Sequence, residues 1–415
     1  MIHQTMNSSK ASASSASIKI SHMRRFSLYA PRAAWAFILG SLVACGTAPR
    51  QPASSGEPPP IAAAPAPGQA EPAGVLLRPR SRWVPVDWTA LPGWADDRQA
   101  ASWPALRAGC VRPALGWAAL CAQVLLGDPP ADDAAARRWA LLHLQPYRVE
   151  SLAGSADGLI TGYFEPLVPA SRQPRGNFRT PLYAVPADLA TRRPYWTRQQ
   201  LDTVPAAMAM LRGREIAWVE DPLDALVLQI QGSGRLRFTD ADGRVQTTRL
   251  AFAGHNDQPY RSVGRWLIDQ GELTPDGASW PTIKAWAQKN PKRLQPMLWA
   301  NPRVVFFREE ALPDPAVGPR GAMGVALTAG RSIAVDPQSL PYGTPVWLDT
   351  TEPLSNTPLR RLVLAQDTGS AIVGAVRADY FWGTGAEAEA QAGRMKQPLR
   401  LWVLWPKGQA AVMAP

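Results

Sequence analysis

The chain has 415 residues, with 44 Lys and Arg against 33 Asp and Glu, a formal charge of +11, four histidines and three cysteines. That length admits one large or two ordinary domains beyond any address segment. Only His143 and His255 lie beyond residue 45, which leaves no convincing zinc set, and no Gly-x-Ser-x-Gly elbow accompanies them.

The first 45 residues read as an export signal. Arg24, Arg25 and Arg32 form a positive region, and Ala33 to Ala44 is uncharged and mostly apolar, too short to span a bilayer as a helix. It ends in Leu42-Val43-Ala44-Cys45-Gly46, which resembles a lipoprotein processing box with Cys45 as the lipidated residue. Gly46 in place of Asp favours the outer membrane, facing the periplasm. Met23 is an alternative start. Residues 1–45 carry five cations and no acid, so the exported chain is nearer +6, without a dense basic block. Export argues against nucleic acid as partner and for an anionic wall polymer.

Residues 46–79 are rich in Pro and Ala, including Pro58-Pro59-Pro60, and read as an extended tether. The stretch 95–145 reads as helical, with Asp96-Asp97 and Asp132-Asp133 as start signals. Cys110 and Cys121 are expected to form a structural disulfide, which requires a helix–turn–helix broken near Pro113. Short apolar runs at 159–164, 226–230, 304–307, 346–348, 362–365 and 399–404 read as strands, and 197–211 and 260–299 as helical. The fold class expected is mainly β with helices: a β-barrel holding an inserted second domain.

Carboxylates carry the chemistry that remains. Asp367 lies in Gln366-Asp367-Thr368-Gly369-Ser370, and Asp379 twelve residues on, against Tyr380, Phe381 and Trp382. Burial against aromatics, with a second carboxylate nearby, would raise the Asp379 pKa and suit it to act as an acid near neutral pH. Gln231-Gly232-Ser233-Gly234 lacks the Lys-Ser/Thr of a phosphate loop and reads as a turn after a strand.

Seven segments in order then resemble the membrane-bound lytic murein transglycosylase A family. They are 159–166 (Leu-Ile-Thr-Gly-Tyr-Phe-Glu-Pro), 179–183, 228–234, 259–265, 301–307, 331–344 and the Asp367 to Asp379 segment. Asp336, Asp367 and Asp379 also resemble the three-aspartate motif of wall-active double-psi β-barrels. The resemblance implies such a barrel from residues 80–166 and 301–415, with a smaller mixed β domain inserted at 167–300. The helical segment would pack on the barrel, and a groove between the domains would hold the glycan. It implies Asp379 as catalytic acid and Asp367 as its assistant. Thr161, Tyr163, Gln231, Ser233 and Asp336 would contact substrate. Phe164-Glu165 departs from the family pattern, and Glu165 reads either as a third acidic group at the groove or as a surface charge at a strand end.

The implied activity is cleavage of the β-1,4 bond between N-acetylmuramic acid and N-acetylglucosamine, leaving 1,6-anhydro ends, with no cofactor and no metal. Wall synthesis or hydrolysis proteins are further candidate partners. A water-using hydrolase, a non-catalytic wall-binding module and a scaffold lipoprotein are the competing readings.

Overall fold

The computed structural model describes residues 73–409; the signal segment, Cys45 and the tether up to residue 72 lie outside the described residues. Folded structure begins inside the stretch expected as tether. β1 (Leu76–Leu77) pairs antiparallel with β2 (Arg82–Pro85), and Arg78 between them is buried. Three helices follow: α1 (Trp103–Cys110), α2 (Ala118–Leu126) and α3 (Asp133–His143). The Asp pair starts α3. Asp132 caps it by accepting the Ala135 N–H, and Asp133 occupies the first turn, where negative charge is favoured. The turn between α1 and α2 returns Cys121 to Cys110, and the two form a disulfide with Cα atoms 4.9 Å apart.

β3 (Leu144–Glu150) and β4 (Gly158–Glu165) complete this first segment. Past Pro166 the chain enters a second sheet through β5 (Leu167–Ala170), then a two-stranded pair of β6 (Thr180–Tyr183) and β7 (Glu215–Val219). Helices α4 (Arg198–Thr203) and α5 (Pro205–Leu211) lie between those two, and α6 (Pro222–Gln231) follows them. β8 (Gly234–Thr239) and β9 (Val245–His255) form a hairpin. After α7 (Val263–Asp269), α8 (Trp280–Lys289) and α9 (Leu294–Ala300), β10 (Val305–Glu310) joins them in the order β10-β9-β8-β5.

The chain then returns to the first sheet with β11 (Ser332–Val335), β12 (Pro345–Thr351), β13 (Pro358–Asp367), β14 (Arg377–Thr384), α10 (Ala386–Ala392) and β15 (Lys396–Pro406). This sheet has nine strands, in the order β1-β2-β3-β15-β12-β13-β11-β14-β4. β15 also pairs with β4, so the hydrogen-bonded path through β14, β11, β13, β12 and β15 leads back to β4. Among the described residues no helix is long and apolar enough to cross a membrane.

The main core unites this sheet with α1–α3. Trp83, Trp117, Trp347 and Trp405 are fully buried in it, and Trp405 packs on both Trp83 and Trp117 with ring centroids 5.4 and 6.2 Å apart. Such rings bury large apolar areas and dominate the packing energy. A buried bidentate pair, Arg331 to Asp97 at 2.7 and 2.9 Å, ties the helical segment to the start of β11.

Three expectations are corrected here. Residues 226–230 are helical, within α6. Asp221 caps that helix through the Leu223 N–H, Pro222 sits in its first turn, and Gly232 ends it at φ 77°. Its apolar run looked like a buried strand because the helix is wedged among three clusters: Leu226 faces one, Leu228 a second, Val227 a third. Second, β10 pairs with β9 in the smaller sheet, so residues 305–310 do not join the larger one. Third, Glu165 is fully buried. It accepts from Arg235 Nε of β8 at 2.8 Å and Arg249 Nε of β9 at 2.7 Å, and both guanidiniums also donate to the Val317 carbonyl. A side chain at the end of β4 thus clamps the two sheets together.

Candidate active site

The register of the larger sheet lines up the acids. Asp379 of β14 pairs with Thr161 of β4 on one side and with Ala334 of β11 on the other, and Ala334 pairs in turn with Asp367 of β13. Directly paired residues share a face, so the two carboxylates flank one small alanine. A β-bulge at Gln366 makes this possible. Ile333 pairs with Ala365 but Ala334 with Asp367, skipping a residue. Without the skip Asp367 would share the core-facing side of Ala365; the bulge re-aims it. Gln366 itself is fully buried, accepting from Ser332 Oγ at 2.6 Å and donating to the Ala105 carbonyl at 2.8 Å. Tyr163, Phe381, Leu327, Ile372 and Ala334 pack into a small apolar cluster beneath.

Asp379 is half-buried, and Thr161 Oγ1 donates to its Oδ1 at 2.6 Å. Arg377 Nη2 donates to the same Thr161 oxygen at 2.8 Å. A guanidinium can only donate, so the threonine proton is directed at the carboxyl. Burial pushes the Asp379 pKa up to about 6; the Thr161 hydroxyl and the Arg377 charge oppose this, and Asp367 adds to it.

Asp367 is provided with more donors. Tyr163 Oη reaches its Oδ2 at 3.0 Å and the Ala322 N–H its Oδ1 at 2.8 Å. Burial raises its pKa, while the N–H groups of Ala322 and Thr368 and the Tyr163 hydroxyl hold it down. Gly321 lets the Ala322 loop approach, since a Cβ there would lie 2.5 Å from the Gln366 carbonyl oxygen. Burial and the two aspartates raise Tyr163 well above the usual phenol value, so it remains a donor.

Two adjoining cavities of about 620 and 280 Å³ open over these groups, the larger reaching Tyr163 and Asp367, the smaller Thr161 and Asp379. Gln231, Gly232 and Arg303 line both, which makes them one cleft between the two sheets. Among the described residues no cluster of three or more His, Cys, Asp or Glu side chains is arranged to hold a metal ion.

The sequence matches the MltA specific insert domain over residues 159–308 and the 3D domain over residues 331–405. The membrane-bound lytic murein transglycosylase A of Vibrio cholerae is 31% identical over 255 residues; the alignment covers 59% of this chain and 65% of that protein, just under two thirds of its length. The structure of MltA from Neisseria gonorrhoeae aligns at a TM-score of 0.70 with 31% identity, covering 83% of this chain and 98% of that one. The lytic transglycosylase LtgG of Burkholderia pseudomallei is 46% identical, with a TM-score of 0.55; the alignment takes in 81% of this chain and the whole of that one. The chain belongs to the membrane-bound lytic murein transglycosylase A family.

Of the residues singled out from sequence for their likeness to this family, Asp379, Asp367, Thr161, Tyr163, Gln231 and Ser233 all line the cleft. Gln231 is partly engaged, because its Oε1 accepts the Phe164 N–H at 3.1 Å. Asp336 does not reach the cleft. It is 5% exposed and accepts from the backbone N–H groups of Gln338 and Gly374 at 3.0 and 2.9 Å, with Arg80 3.5 Å away. Its bond to Gly374 instead ties it to the turn between β13 and β14, the segment that runs between the two catalytic candidates. Arg377 and the Ala322 N–H were not anticipated. Arg377 stands two residues before Asp379 on the same strand, hence on the same face, and that spacing was the available signal.

Proposed function

We propose that this protein is a peptidoglycan lytic transglycosylase, cutting the β-1,4 bond between N-acetylmuramic acid and N-acetylglucosamine and leaving a 1,6-anhydro end. One observation carries this reading: a single carboxyl group with its pKa raised to about 6 faces an open cleft, one oxygen held by Thr161. Asp379 Oδ2 would protonate the glycosidic oxygen as the C1–O bond breaks and positive charge builds at C1. The carboxylate so formed would take the proton from the muramoyl C6 hydroxyl, whose oxygen closes on C1. The nucleophile belongs to the substrate and is tethered beside its target, so one acid–base group serves both steps. Asp367, supplied with three donors, stays the carboxylate of the pair and offsets charge at C1. Gln231 and Ser233 would contact sugar from the opposite wall.

The ring of pairings from β4 to β15 supports a double-psi β-barrel, with residues between β4 and β11 as an inserted domain. The name of the Vibrio relative and the Leu42 to Gly46 segment support lipid attachment at Cys45 on the outer membrane, facing the periplasm.

Digestion of purified sacculi tests the reaction. Fragments released by the protein are expected to carry 1,6-anhydromuramic acid, each lighter by one water than a reducing-end fragment. Reducing ends would mean that Asp367 activates water and the protein is a hydrolase; no release at all would leave a binding module.

The pH dependence follows from the acid role. Protonated Asp379 is the active form, so kcat/KM is expected to fall as pH rises through about 6. The Thr161 hydroxyl stabilises the charged form. In Thr161→Val the proton is held more tightly, and the fall-off moves to higher pH. An unmoved or lowered fall-off would remove Thr161 from this role.

A further inference from the structure

The cleft is lined by four guanidinium groups, from Arg303, Arg308, Arg320 and Arg377, and by no carboxylates except Asp367 and Asp379. Arg377 is engaged with Thr161, and Arg308 pairs with Glu310 at 2.7 Å. Arg303 and Arg320 differ. Among the described residues neither enters an ion pair; Arg303 Nε donates to the Gln258 carbonyl at 2.8 Å, and Arg320 Nη1 to the Gly324 carbonyl at 3.2 Å.

The two stand on opposite walls. Arg303 lies two residues before β10 of the smaller sheet and lines both halves of the cleft. Arg320 belongs to the loop that sets Ala322 against Asp367. Arg303 is half-buried, and burial depresses its pKa more than the charge of Asp257 raises it, so the fold bears a desolvation cost for a cation that is offset only in part. Hydroxyl and acetamido groups alone give no reason for positive charge on both rims. Bare glycan adds one carboxylate per muramic acid, its lactyl group, held close to the sugar ring. In the peptide-bearing strand that lactyl carboxyl is an amide, and several free carboxylates, the partner that a guanidinium fork matches best, branch farther out toward the walls of a cleft.

We propose that Arg303 and Arg320 receive the carboxylates of the stem peptide, so that this site selects peptide-bearing strands over bare glycan. The inference rests on the transglycosylase reading above and adds a substrate preference to it.

The test compares kcat/KM on glycan strands that keep their peptides with the same strands stripped by an amidase. Wild type is expected to favour the peptide-bearing strands. Arg303→Gln together with Arg320→Gln should cut that preference about tenfold, mainly through KM. Raising salt should shrink the wild-type preference, since these groups are partly in water. Arg320 is exposed, so Arg320→Gln alone, expected to lose about threefold, keeps the test informative if Arg303→Gln fails to fold. An unchanged preference in folded variants overturns the proposal, as does an equal loss on both substrates. Anhydro ends in the same digests separate the two readings. If wild type forms them without favouring peptides, only the peptide inference falls; if it forms none, the reaction assignment falls as well.

Discussion

A protein carrying Asp379→Asn is expected to lose about 10³-fold or more in kcat/KM on sacculi while remaining folded and still binding strands. The amide is nearly isosteric, and its carbonyl oxygen can still accept the Thr161 hydroxyl now 2.6 Å from Oδ1. What disappears is the exchangeable proton on the other oxygen. Positioned general acid–base catalysis contributes about 10²–10⁴-fold where one proton transfer is at stake. Here the same group would serve two transfers, out to the glycosidic oxygen and back from the C6 hydroxyl, which places the loss toward the upper part of that range. The decisive measurements are steady-state release of anhydro fragments and sedimentation binding to sacculi. A variant that keeps a tenth or more of wild-type turnover would show that the proton comes from elsewhere, and Asp367 would be the next candidate.

The surroundings of the two acids were legible in the sequence because they are local. Asp379 lies against Tyr380, Phe381 and Trp382 in the chain itself, and Asp367 sits just before a glycine turn. What the sequence did not carry was their alignment across Ala334, which depends on a bulge at Gln366 and on pairings between distant strands. The fate of Asp336 was hidden for the same reason. Motif membership says that an aspartate is needed, not whether its carboxylate faces a cleft or two backbone N–H groups. In the fold, the capped helix α3 and the longer strands of the main sheet announce themselves through periodicity and breakers. α6 failed that test because burial on several sides erased its polar face, although Asp221, Pro222 and Gly232 bracketed it correctly. The assignment of β10 to one sheet or the other was beyond reach, since an apolar run records burial and not partner identity.

Glu165 is the strongest case of tertiary context overriding local reading, and its removal should have the largest effect on stability. Glu165→Ala is expected to cost about 3–5 kcal/mol, because it strands two buried guanidiniums, Arg235 and Arg249, whose side chains are 8% and 7% exposed. The Val317 carbonyl can accept from both, but it carries no full charge to balance them. For a folded region of this size, with unfolding entropy near 2 cal/mol/K per residue, the loss corresponds to a fall in thermal midpoint of about 4–7 °C. The consequence reaches the chemistry. Glu165 ends the strand that carries Thr161 and Tyr163, while its partners lie on the hairpin that continues to Phe252 and His255 on the far wall of the cleft. Loosening the clamp should therefore widen the cleft and raise KM for long strands, even at temperatures where the variant is folded. Glu165→Gln, which keeps hydrogen-bonding oxygen and volume but not charge, should fall between. A thermal midpoint for Glu165→Ala within about 1 °C of wild type would mean that solvent or the Val317 loop compensates the two cations, and that the sheets are held in register by apolar packing alone.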